Sequence, residues 1–203
     1  MSATAAPDAS DRSDFRTVTL GGAKIGLTTA AAVVAFLLVS RHVPGLGGRM
    51  LEMLVVLAAG MAVTFLPGQW TAARTGEGIA GAAAMGLVGT ITFMTIDIVA
   101  LRPLGAYSWT WDAIGGNSTW WYLPIWWMLG TFLAWMGAIV MARESARGEA
   151  NLVRLATPTL IGTILLLALA RLAGLSFALP VGAGAAFTIT LAGQAVVALA
   201  RKP

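Results

Sequence analysis

Six stretches of this chain stay apolar for long enough to cross a lipid bilayer, and no other feature limits its fold so tightly. A hydrocarbon core about 30 Å thick needs about 20 mostly apolar residues in a helix. Such stretches occupy residues 25–40, 50–66, 78–101, 122–142, 156–175 and 181–200. Membrane strands would instead come as segments of about ten residues that alternate in polarity, whereas LVVLAAGMAV and TILLLALA are apolar almost throughout. Backbone groups in lipid must find partners within their own segment, so continuous apolar runs become helices. The sequence predicts an all-α, polytopic bundle of about six transmembrane helices with short loops, forming a single domain over 21–200.

Composition agrees. The chain is 58% hydrophobic and only 11% charged, against about 25% charged in a soluble domain. Its mean hydropathy of +0.80 excludes disorder, which needs low hydrophobicity and high net charge. With Cys 0 and His 1, disulfides, thiolate metal sites, cysteine nucleophiles and the two-histidine zinc motif are excluded. No G-x-x-x-x-G-K-[ST], G-x-S-x-G or G-x-G-x-x-G pattern occurs, so nucleotide and serine-hydrolase chemistry lack a motif. No motif implies a cofactor either. The net charge of +4 comes without a dense basic run, so nucleic acid is not an expected partner.

Residues 1–20 interleave Asp8, Asp11 and Asp14 with Arg12 and Arg16. The apolar stretch then begins too late for a signal peptide, and no A-x-A-like site follows it. This segment is expected to be a polar cytoplasmic tail, with the first span retained. Placing the N-terminus inside puts nine basic residues (Arg12, Arg16, Lys24, Arg74, Arg143, Arg147, Arg154, Arg201 and Lys202) on the inner side. Four (Arg41, Arg49, Arg102 and Arg171) then lie outside, and the two groups account for all 13. The positive-inside rule therefore predicts both termini in the cytoplasm of a bacterial inner membrane. The first and last hairpins also echo one another (VPGLGG, LPVGAG), as a parallel repeat would.

The third span has the most informative face. Gly78, Ala82, Gly86 and Thr90 recur every four residues, which permits close helix packing. At about 100° per residue, Asp97 falls within about 20° of Gly86 and Thr90 and so faces the bundle. Two readings stand: an ion-paired anchor near the outer surface, or a proton or cation site. Arg171 lies about 22 Å from the inner end of the fifth span, at a depth comparable to Asp97, and Glu52 opens the second span from the same side. Arg171 is expected either to pair with Asp97 or Glu52, or to snorkel to the outer headgroups.

The other outlier is the segment 102–121 with the start of the fourth span. Trp109, Trp111, Trp120, Trp121, Trp126 and Trp127 crowd there, around a turn at Gly115-Gly116-Asn117. An interfacial aromatic belt is one reading. A docking surface for a partner subunit, lipid, quinone or pigment is the other. His42, the sequon Asn117-Ser118-Thr119, Asp112 and the connector 143–149 carry weaker signals. Thr188 and Gln194 are expected to form interhelical hydrogen bonds.

Function then divides three ways. A non-catalytic accessory or scaffold subunit would dock through the small-residue faces and the tryptophan segment, with membrane lipids and other subunits or its own copies as partners. A small transporter or channel would use Asp97. An intramembrane enzyme would need an acid, base or metal group, and only Asp97, Glu52, His42 and Arg171 are on offer. The sequence favours the first.

Overall fold

A computed structural model describes residues 11–104, 106, 122–146 and 151–200. Six long helices build the molecule: α1 (Phe15–His42), α2 (Gly45–Trp70), α3 (Gly76–Ile96), α4 (Tyr122–Ser145), α5 (Leu152–Leu172) and α6 (Leu179–Ala200). A π-helical turn, Asp97–Leu101, continues α3. No strand occurs among the described residues, and all six helices are long and apolar enough to cross a membrane. The chain is an all-α, six-span membrane protein.

Helix ends follow local chemistry, and several lie beyond the apolar runs. α1 begins at Phe15, well before residue 25, because Asp14 caps it: the Thr17 N–H donates to Asp14 Oδ1 at 3.0 Å and the Thr17 hydroxyl to Oδ2 at 2.6 Å. It stops where Pro44 disfavours helix in the preceding residue. α2 does not close at Leu66. Pro67 removes one backbone donor, yet the helix runs on to Trp70. It ends in a Schellman turn, with Ala73 N–H donating to Gly68 O at 2.9 Å and Ala72 N–H to Gln69 O at 3.2 Å. Ala72 holds the left-handed position at φ 50°. α5 ends in the same motif with Gly174 at φ 80°.

The N-terminal segment is not a free tail over its described length. The Arg12 N–H donates to Thr71 O at 2.7 Å, and the Ser13 hydroxyl donates to Glu77 Oε1 at 2.8 Å. Asp11 reaches the start of α3, where it accepts from the N–H groups of Arg74 (3.1 Å), Thr75 (3.0 Å) and Gly78 (2.9 Å) and from the Thr75 hydroxyl. A carboxylate there meets orphan donors and the positive end of the helix dipole. Burial pushes the Asp11 carboxyl up, but the bonds from Thr75, Gly78 and Arg74 outweigh it and hold the group below its ordinary value of 3.8. A lowered folded-state pKa stabilises above the unfolded value, and that contribution is lost as pH falls through the folded value. Asp11→Ala is therefore expected to cost about 1 kcal/mol at neutral pH. The deficit should shrink as detergent melts are repeated at acid pH below 3.8.

Inside the bundle, α3 lies between α1 and α4, α2 spans α1, α4 and α6, and α5 rests chiefly on α6. Lipid is as apolar as leucine, so packing rather than water exclusion drives helices together. Glycines let them approach. A methyl at Gly22 would fall 2.5 Å from Val88 Cβ, at Gly26 2.7 Å from Gly89 O, and at Gly86 2.6 Å from Gly130 O. Three apolar clusters complete the interior, the smallest of them Ala73, Ala82 and Ala138. Of the two larger, one joins α2, α4, α5 and α6 through Leu57, Phe65, Met141, Leu155, Phe187 and Leu191; the other joins α1 and α3 through Ala30, Phe93 and Met94.

Candidate functional site

The π turn positions Asp97. Its i→i+5 bonding has the Arg102 N–H donating to Asp97 O at 2.9 Å, which brings the two side chains onto one edge. The Arg102 Nε then donates to Asp97 Oδ2 at 2.9 Å. Asp97 is fully buried, while Arg102 keeps 30% of its side chain exposed. The acid therefore does face the bundle, as its helical phase predicts, but its partner comes from its own turn. Nearby, Arg41 at the end of α1 donates to the Ala106 carbonyl. This ties α1 to the chain leaving α3.

Asp97, Arg171 and Glu52 do not converge. Arg171 is exposed and donates to Phe177 O at 2.7 Å, bridging the turn between α5 and α6. Its helix rests on α6, reaches only the fringe of α4 and does not pack on α3, so Arg171 takes the Phe177 carbonyl rather than the expected Asp97. Glu52 is half-buried on α2 and forms no ion pair among the described residues. His42 Nδ1 lies 2.9 Å from Leu38 O in its own helix. Among the described residues, no group of three or more His, Asp or Glu side chains gathers as a potential metal site.

The small-residue face is buried inside the protein. Gly78 stands under Asp11, Ala82 is fully buried, and Gly86 and Thr90 meet α4 at Gly130 and Ala134. Thr159 donates to Gln194 Oε1 at 2.8 Å, linking α5 to α6 as expected for Gln194. Thr188 instead donates to Gly184 O of its own helix at 2.9 Å. Trp109, Trp111, Trp120, Trp121, the sequon and Asp112 lie outside the described residues. Trp126 is half-buried and meets the Phe93 ring edge-on, with centroids 6.2 Å apart. Trp127 is 38% exposed.

Sequence reasoning missed a lateral cleft of about 800 Å³ bounded by α1, α2, α3, α4 and α6. Phe93, Trp126, Leu129 and Leu133 form one wall, and Val56, Val63 and Val181 line the α2 and α6 sides. Between them lie small residues: Ala59 and Gly60 of α2, Gly89 of α3, Gly130 of α4, and Gly184 and Ala185 of α6. The polar contribution comes from Thr29, Thr90 and Thr188, and the Thr90 and Thr188 hydroxyls are bonded to their own helices. A further recess of about 300 Å³ shares Phe93 and Trp126 and extends toward Phe36 and Leu37 of α1. No single-helix pattern announces such a cavity, because it arises from five helices failing to meet. No family model, curated protein or solved structure matches this chain.

Proposed function

We propose that the chain is a non-catalytic accessory subunit of a membrane assembly, and that it receives an apolar transmembrane helix of a partner in the lateral cleft. The small-residue floor carries this reading. An acyl chain needs only apolar volume, whereas an incoming helix needs Gly and Ala where its backbone approaches; Ala59 and Gly60 of α2 and Gly184 and Ala185 of α6 offer such positions, while Gly89 and Gly130 are taken up by Ile25 and Thr90. The face Gly78, Ala82, Gly86 and Thr90 is occupied internally, so docking falls to the cleft and its Trp126 wall. The side chains that could do chemistry support the reading too, since Arg102 holds Asp97 and a carbonyl holds Arg171. The distribution of basic residues supports a topology with both termini in the cytoplasm, in what we propose is a bacterial inner membrane.

One observation favours the transporter alternative. π turns recur at functional sites, and the one here carries the buried acid. Against it, the turn sits at the end of α3 rather than within a span broken at the midplane, the usual pattern of transporter sites.

Gly184→Leu tests the proposal. A Cβ at Gly184 would meet only Val56 Cγ1, at 3.6 Å, so the larger side chain fills cleft space without straining the backbone. The variant should melt as the wild type does in detergent, while partner association weakens about tenfold or more. A stoichiometric complex that survives the substitution unchanged would remove the cleft as the docking site.

A further inference from the structure

A second cavity, of about 470 Å³, lies between the C-terminal ends of α4 and α6 and the N-terminal end of α5. Arg143, Arg154 and Glu144 stand on its rim, Gln194 and Thr190 line its α6 side, and Val140, Leu155 and Val197 supply apolar wall. Among the described residues, two guanidiniums face one carboxylate there, a net positive balance.

The two arginines differ in how the fold accounts for them. Arg143 ends α4, where a cation suits the helix dipole, and its Nη1 donates to Ala198 O at 2.6 Å. Gln194 is likewise anchored, by Thr159. Arg154 has no such explanation. It sits in the first turn of α5, three residues after the Asn151 cap, where the dipole opposes a positive charge. It is exposed and engages no acid or carbonyl among the described residues. A guanidinium with no partner among the described residues and a second one on the same pocket suit one ligand chemistry: a phosphate group, which guanidinium forks grip through paired oxygens. The apolar wall points to its source. Val197, on the pocket wall, is 47% exposed, where the hydrocarbon of a membrane lipid would lie.

We propose that Arg143 and Arg154 bind the phosphate headgroup of an anionic phospholipid at this end of the bundle. Basic pockets between spans on the cytoplasmic side are suited to such headgroups. The site is independent of the cleft and of the accessory-subunit reading.

The test reconstitutes the full chain in vesicles of equal phosphatidylcholine and phosphatidylglycerol, then counts retained lipids by native mass spectrometry. Wild-type protein should retain phosphatidylglycerol preferentially, and Arg154→Gln should cut that retention about tenfold. Arg74→Gln, a change at the same end but outside the pocket, should leave it intact. Equal melting temperatures of wild type and Arg154→Gln in pure phosphatidylcholine would establish that the fold is unaffected. The proposal is overturned if retention shows no preference for the anionic lipid, or if Arg74→Gln lowers it as much as Arg154→Gln. It is also overturned if inorganic phosphate displaces the lipid, which would identify a free-phosphate site instead.

Discussion

Gly137→Ala is expected to lower the stability of the detergent-solubilised protein by about 3 kcal/mol, at the upper end for added volume in a packed interior. Gly137 of α4 faces Thr64 of α2, and a methyl there would stand 2.1 Å from the Thr64 carbonyl oxygen and 2.6 Å from Thr64 Cγ2. The obstacle is backbone, so no rotamer change relieves it and α2 must move from α4. That movement would disturb Pro67 and Gly68, one turn further along α2, where Gly68 already abuts Ala138 and Met141. Gly184→Ala provides the control, because its methyl meets nothing closer than 3.6 Å. Thermal unfolding should separate the two clearly. Equal melting temperatures would mean that α2 and α4 are not in backbone contact.

Arg102→Ala should be nearly as damaging, by about 3 kcal/mol, since it removes the ion-pair partner of a fully buried carboxylate. Asp97 has no exposed surface and relies on Arg102 Nε at 2.9 Å. Neutralising the acid in the same molecule should recover part of the loss, so Asp97→Asn combined with Arg102→Ala should be more stable than Arg102→Ala alone. A double-mutant cycle on melting free energies measures that coupling directly. If the two substitutions simply add, the ion pair is not what holds the end of α3. A transporter built on Asp97 would behave differently, losing flux in Asp97→Asn with its stability untouched.

Much of this architecture is written in the chain, because continuous apolarity and fourfold spacing are properties of single helices. The six spans could be read from it, as could the inward orientation of Asp97 from its phase with Gly86 and Thr90. Helix ends were less legible. Pro67 reads as a terminator, yet one missing donor does not stop a helix packed this closely on α4. At Ala72 a left-handed turn occurs without the glycine that would mark it. The π turn was equally hidden, since it shifts pairing by one residue and so gives Asp97 a partner five positions away. Residues on different helices were the hardest to relate. Asp97 and Arg171 were expected at similar depth, but depth along a bundle says nothing of position around it, and their helices do not pack on one another. The cleft belongs to no helix, and hence to no sequence pattern.

The most direct test of the accessory-subunit account places a photo-crosslinking amino acid at Ala185, on the cleft rim, and irradiates native membranes. A matching probe at Ile161, exposed on α5 and outside the cleft, reports on ordinary lipid contact. The account predicts one discrete protein adduct from Ala185, absent from Ile161 and lost when Gly184→Leu fills the cleft. Only lipid adducts from both positions, identical with and without Gly184→Leu, would contradict it.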